Sequence, residues 1–217
     1  MSNLSFSNKD DFIKFLKEEK SNKILVICGE KSFKKSGANK LFESLFNNKE
    51  IKFYFKKYSI PNLLELQDII NLIKVFSPNL IVSIGGGSVL DYAKMANTLT
   101  NCNNLKEELV NSTYNVKKKF AKLVAIPTTA GSGAEVTPNA VIYIDKIKYS
   151  VEGEQLKPDY FFLIPELVLS ASKKIKSSAG FDAIAQAIES LISKRSNENS
   201  KVFAEKSLKL SFNYFLN

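Results

Sequence analysis

The sequence predicts an α/β fold, a parallel-sheet domain followed by two helices. Three observations carry that prediction. Apolar, β-branched runs alternate with helix-periodic segments between residues 23 and 99, the pattern of successive βαβ units. One of those runs, Leu80-Ile81-Val82-Ser83-Ile84, ends in Gly85-Gly86-Gly87 and passes straight into a helical pattern. Beyond residue 178 the period becomes wholly helical, over 178–193 and 198–215. The 217 residues, 44% of them hydrophobic, suffice for one large domain, or for a complete domain and part of another. We place residues 1–170 in the α/β domain and 171–217 in the helical part that follows.

The elements follow in order. From Asp10, the positions Phe12, Phe15 and Leu16 suggest a short amphipathic helix. Residues 23–28 read as a buried strand, followed by Gly29. A helix is expected over 36–47, with Leu41, Leu45 and Phe46 on one face. Then come a strand over 51–58, a helix over 62–76, a strand over 80–84 and a helix over 88–99. Residues 101–119 are rich in Asn and Lys and read as a connection with one helical turn. Residues 123–126 form a strand that ends in Pro127-Thr128-Thr129-Ala130-Gly131-Ser132-Gly133. Segments 140–144 and 148–151 flank Asp145-Lys146-Ile147 as a β-hairpin, and 160–163 is the last strand.

Composition excludes several classes of function. The net charge of +9 comes from Lys spread along the chain, without the stripe of Arg and aromatic residues that nucleic-acid binding calls for. Cys28 and Cys102 are too few and too far apart for a disulfide framework. The polar N-terminal segment lacks the apolar centre of a signal peptide, and no apolar run reaches membrane-spanning length. These features point to a cytoplasmic protein with neither nucleic acid nor membrane as partner. The chain has no histidine. That removes His-based nucleophile pairs, His general bases and His metal ligands, so any chemistry rests on carboxylates, Lys, Tyr, amides, backbone donors or a cofactor.

Three constellations remain. Glycines at a strand-to-helix turn let a bulky anion approach the backbone, and the helix N-terminus offers it free N–H groups. Gly85-Gly86-Gly87-Ser88 fits that role, and Ser88 and Asp91 have the spacing of a capping box; a tight turn with a capped helix is the plainer alternative. The hydroxyl-rich segment Thr128-Thr129-Ala130-Gly131-Ser132-Gly133-Ala134-Glu135 also follows a strand end, where open α/β sheets bind ligands; a flexible loop is the plainer alternative. In the third, Gly180 to Ser190, the residues Phe181, Ile184, Ala185, Ile188 and Ile192 form an expected buried stripe. Asp182, Gln186 and Glu189 share another face. Asp182 and Gln186, one turn apart, either share a cation or are a first-turn acid and a solvated amide.

In series, "GGGSVLDYAK", "AIPTTAGSGAEVTPNAVI" and "AGFDAIAQAIES" resemble the iron-containing (group III) alcohol dehydrogenases. The details "TPNAVIYIDKIKYSVEGEQLKPDY" and "DAIAQAIES" look closest to the phosphonoacetaldehyde reductase branch. The resemblance implies a dehydroquinate-synthase-like domain that binds NAD(P)H. An all-helical domain carrying Fe²⁺ or Zn²⁺ follows, with a small aldehyde or alcohol substrate in the cleft between them. It assigns Gly86, Gly87, Ser88 and Asp91 to the first cofactor loop, Thr128, Thr129 and Ser132 to the second, and Lys148 to a cofactor contact after the hairpin. Gly29 stands where an acidic residue would bind the ribose hydroxyls of NAD; glycine leaves room for a 2′-phosphate, with Lys31 to pair with it. Asp182 matches the first metal ligand.

The sequence departs from the family at two further positions. Gln186 stands in place of a His ligand, and Ile164 in place of an Asp. Against the family the sequence is also C-terminally truncated, ending after the second helix of the metal domain. The apolar stripes of those two helices are therefore expected to meet a second copy, a further polypeptide or a missing C-terminal segment. The leading reading is an NAD(P)-dependent aldehyde/alcohol oxidoreductase, incomplete as this chain. The alternatives are a non-catalytic nucleotide-binding or interaction module, and dehydroquinate-synthase-like or glycerol-dehydrogenase-like chemistry.

Overall fold

Three apolar runs make the centre of the sheet: β1 (Lys23–Cys28), β3 (Leu80–Gly85) and β4 (Lys122–Pro127). Each is buried almost end to end, as parallel strands covered on both faces must be. The computed structural model describes residues 8–43 and 49–216. In it, β2 (Glu50–Phe55) and the two-residue β7 (Tyr160–Phe161) complete a five-stranded parallel sheet of order β2-β1-β3-β4-β7. Registers are Ile24 opposite Leu80 and Gly85 opposite Pro127, so β3 and β4 end level with one another.

Alternate residues feed opposite faces. Leu25, Ile27 and Ile81 pack beneath α3 (Leu63–Phe76) and α4 (Gly87–Thr98), with Leu66, Ile69, Ile73, Tyr92 and Met95. Ile24, Val26 and Val82 meet the other layer, Phe12 and Leu16 of α1 (Lys9–Glu18) and Phe33 of α2 (Glu30–Lys35). Aromatic rings dominate that layer: Phe12 lies edge-on to Phe42 at 6.0 Å and to Phe162 at 5.2 Å.

The polar connection after α4 contains α5 (Leu105–Val110). The hairpin forms as β5 (Asn139–Ile144) and β6 (Ile147–Glu152). Its turn has two residues: Asp145 and Lys146 both take positive φ, 50° and 67°, as a primed turn requires. The short α6 (Pro165–Leu169) follows β7.

One expected helix is corrected. Instead of one helix over 36–47, α2 starts directly after Gly29 and stops at Ser36, and a 3-10 turn, Ala38–Leu41, follows. Gly37, at φ 77°, is the left-handed residue just past the helix end. Leu45 and Phe46 lie outside the described residues. The capping box at Ser88 is also corrected: Gly86 is the N-cap of α4, so Ser88 already lies inside the helix and Asp91 a turn further on.

The chain divides into two units, Met1–Thr128 with Ala134–Ser170, and Thr129–Gly133 with Ala171–Asn217. The second is built on α7 (Lys173–Ile192) and α8 (Glu198–Tyr214). Ser172 caps α7 on the Ile175 N–H, and Asn197 with Ser200 makes a capping box for α8. The buried stripe expected on α7 does not form. Among the described residues only Ala187 is buried on α7 and only Ala204 on α8, while Phe181, Ile188 and Ile192 are exposed. Two packed helices cover only the narrow strip where they touch, so most of each apolar stripe stays open. Gly180 lets the Phe215 ring approach: a Cβ there would lie 2.3 Å from Phe215 Cε2. No helix among the described residues is long and apolar enough to cross a membrane.

Candidate functional site

The end of β3 supplies the first part of the site. Gly85 is buried, and a Cβ on it would stand 2.6 Å from Val89 Cγ2, so glycine lets the first turn of α4 fold back onto the strand. Gly86, extended at φ −75° and ψ 178°, has no side chain to cap the helix. The N–H groups of Gly87 and Ser88, first in α4, therefore lie along the helix axis at its positive end. The Thr128 N–H donates to the Gly85 carbonyl at 2.9 Å, which brings the end of β4 beside the glycine turn.

Lys56, unassigned in the sequence reading, joins this turn. Its Nζ donates to Ser88 Oγ at 2.5 Å and to the Ser59 carbonyl at 3.2 Å, and burial lowers its pKa. The segment that presents it is fixed by Glu65, fully buried on α3. That carboxylate accepts from the N–H groups of Lys57 at 2.5 Å and Tyr58 at 3.2 Å. No pattern in the sequence marks this loop: Lys56 falls inside the strand expected over 51–58, whereas β2 ends at Phe55.

A second polar group lies under α4. Asp91 accepts from the Val141 N–H at 3.2 Å, and burial pushes its carboxyl up to about 6 against the pull of Lys94 and Lys148. Lys94 is fully buried and donates to Thr137 Oγ1 at 2.9 Å and to the Asn139 carbonyl at 2.8 Å. Burial brings its pKa down to about 8, opposed by Asp91 and Glu135, and burial raises the Glu135 carboxyl. Together these bonds tie the helix to the start of the hairpin, whose exposed Lys148 acts on Asp91 through its charge. The sequence gives Lys94 and Thr137 no role and Glu135 only a place at the end of the hydroxyl-rich segment; a Lys between apolar neighbours in α4 is the available signal.

Gly29 caps α2 and its carbonyl accepts from Ser32 Oγ at 3.0 Å. A Cβ at Gly29 would lie 2.9 Å from that hydroxyl. Lys31 is exposed beside it.

The remaining predicted residues fall in the helical unit. Thr129 and Ser132 flank Gly131, where a Cβ would lie 2.7 Å from the Ala179 carbonyl, so this glycine serves close packing on α7. Gln186 Nε2 makes a long contact, 3.5 Å, to the Gly131 carbonyl. A groove of about 410 Å³ beside it is lined by Ala183, Ala187, Ser190, Phe203 and Ala204 among others. Asp182 is exposed, well inside α7 and not in its first turn. One carboxylate and one amide do not fit a transition-metal site, and no three His, Cys, Asp or Glu side chains converge among the described residues. Ile164 is a buried core residue at the N-cap of α6, where it provides no side-chain cap.

A family profile described as iron-containing alcohol dehydrogenase matches residues 8–165. An alcohol dehydrogenase of Thermococcus barophilus is 31% identical over 160 residues, 71% of this chain and 42% of that protein. The solved NADH-dependent butanol dehydrogenase A of Thermotoga maritima superposes with a TM-score of 0.83 at 23% identity, over 98% of this chain and 57% of its own. The sulfoacetaldehyde reductase of Bifidobacterium kashiwanohense, solved with NAD⁺, gives 0.86 at 22% identity, over 97% and 56%. At these identities the structural matches speak for the fold alone. The chain spans well under two thirds of the length of these relatives.

Proposed function

Since the chain belongs to the iron-containing alcohol dehydrogenase family, we propose that it binds a nicotinamide dinucleotide where β3 and β4 end and serves hydride transfer between an aldehyde and a primary alcohol. The observation that carries this reading is the start of α4. Gly86 and Gly87 leave its first N–H groups uncovered by any side chain, beside Ser88 and the end of β4. Gly86, Gly87 and Ser88 hold the ligand's diphosphate, and Thr128, Asp91 and Lys148 border the part beyond it. When bound, the dinucleotide supplies or accepts the hydride. The chain's own part is to fix the ligand by its phosphates and to hold a rigid polar wall, Asp91 on the Val141 N–H, at the second turn of α4. No step is assigned to a metal, because Asp182 and Gln186 do not make a site for one.

Two finer points belong to the same reading. Glycine at position 29 supports acceptance of a 2′-phosphate, so NADPH is expected to bind at least as well as NADH. Phosphonoacetaldehyde is the proposed aldehyde, on the sequence details over residues 137–160 and 182–190. A second reading, a nucleotide-binding module without turnover, is favoured by the inadequate donor set at Asp182 and Gln186.

A fluorescence titration with NADH and NADPH, followed by assay of phosphonoacetaldehyde and simple aldehydes with and without Fe²⁺ or Zn²⁺, separates the two. Saturable binding with turnover supports the oxidoreductase, and binding without turnover supports the module. Turnover gained only on adding a polypeptide equivalent to the remaining length of the relatives supports the oxidoreductase as well. Absence of binding by either nucleotide refutes both.

A further inference from the structure

The position of Lys56 is unfavourable for a protein without a ligand. Its backbone N–H donates to the Cys28 carbonyl at 2.7 Å, extending the sheet ladder one residue past β2. Its side chain thus leaves the same end of the sheet at which β3 delivers the glycine turn. The ammonium is half-buried and rests on two neutral oxygens, Ser88 Oγ and the Ser59 carbonyl. Among the described residues no carboxylate pairs with it within 4.0 Å. Glu65 acts on it only at longer range and is committed to the N–H groups of residues 57 and 58. A cation held over the N-terminal turn of a 12-residue helix faces the helix's positive end, where anions are favoured and cations opposed. Two positive features converging without a counter-charge are reconciled by an anion between them.

We propose that Lys56 contacts the diphosphate of the bound dinucleotide, sharing it with the Gly87 and Ser88 N–H groups. Ser88 Oγ holds the ammonium in place until the ligand arrives. This rests on the dinucleotide reading above and adds a residue to it that the sequence did not mark. The bond is charge-assisted, and removing the cation lowers affinity for the phosphate portion while relieving the repulsion in the free protein.

Calorimetric titration of the full chain with NADH, NADPH, ADP-ribose and inorganic pyrophosphate tests this, on wild type, Lys56→Met, Lys56→Arg and Lys57→Met. Lys57 carries the same charge next door but pairs with Asp68 at the surface. Lys56→Met is expected to weaken NADH and pyrophosphate by about 10- to 100-fold. Lys56→Arg and Lys57→Met should stay within about threefold of wild type. Without ligand, Lys56→Met should melt at or above the wild-type temperature, which a merely structural lysine would not do. The proposal is overturned if Lys56→Met binds NADH and pyrophosphate as wild type does, if Lys57→Met loses as much, or if ligand-free Lys56→Met melts well below wild type. Should wild type bind pyrophosphate through Lys56 but no dinucleotide, the dinucleotide reading fails and the anion contact stands. Should it bind neither, both fail.

Discussion

At the scale of single residues, buried charge decides the behaviour of α4. The Asp91 carboxyl sits near 6 in the folded chain against an ordinary value of 3.8, because burial outweighs Lys94, Lys148 and the Val141 N–H. The unfolded chain ionises first, so the stability tied to the neutral form is whole below about pH 4 and is lost as pH rises through about 6. Above that, the ionised form costs up to about 3 kcal/mol. Asp91→Asn keeps an acceptor for Val141 and avoids this cost, so its melting temperature should gain on wild type at pH 8 and gain little at pH 4.5. An equal gain at both would show that ionisation is not the cause. Lys94→Met should lose about 2–4 kcal/mol in urea unfolding, because the Asn139 carbonyl and Thr137 hydroxyl lose their buried donor. The sequence marks Lys94 only as a Lys between apolar neighbours, and it gives neither its partners nor those of Lys56. Apart from the Ser59 carbonyl, three residues from Lys56, their partner oxygens come from segments 43, 45 and 32 residues away, and only the fold brings those together.

At the scale of elements, the strand-to-helix turn is a packing solution before it is a ligand site. A methyl group at Gly85 meets Val89 at 2.6 Å. Gly85→Ala should therefore cost about 1–3 kcal/mol, and Val89→Ala in the same chain should recover about 1 kcal/mol or more through the coupling of the two sites. A double-mutant cycle without coupling would rule out that clash. The strands β1, β3 and β4 were legible because continuous apolar runs bounded by turn residues have few other uses. The helix α2 was not, because six residues with only Phe33 buried show no helical period. Ser88 and Asp91 suggested a cap that glycine in fact makes, since capping-box spacing also occurs by chance inside helices.

At the scale of the whole molecule, the helical unit keeps much apolar surface uncovered. Phe181 is 59% exposed, Ile192 77% and Tyr214 81%. Surface of this kind marks an interface. The chain should show concentration-dependent light scattering and bind a hydrophobic dye, both reduced by Ile192→Lys with Phe203→Lys. A dye-negative protein with flat scattering would contradict this. The sequence indicated two helices with apolar stripes. It did not indicate that only Ala187 and Ala204 of these helices would be buried among the described residues while Phe181, Ile188 and Ile192 stay exposed, since periodicity gives a stripe but not its partner. The proposed dinucleotide site lies at one location, where the parallel sheet ends in the glycine turn, and amide hydrogen exchange tests that location. With saturating NADH or NADPH, protection should rise at Gly86 to Val89, at Lys56 and at Thr128. Protection confined to other segments, or none at all, would contradict the account.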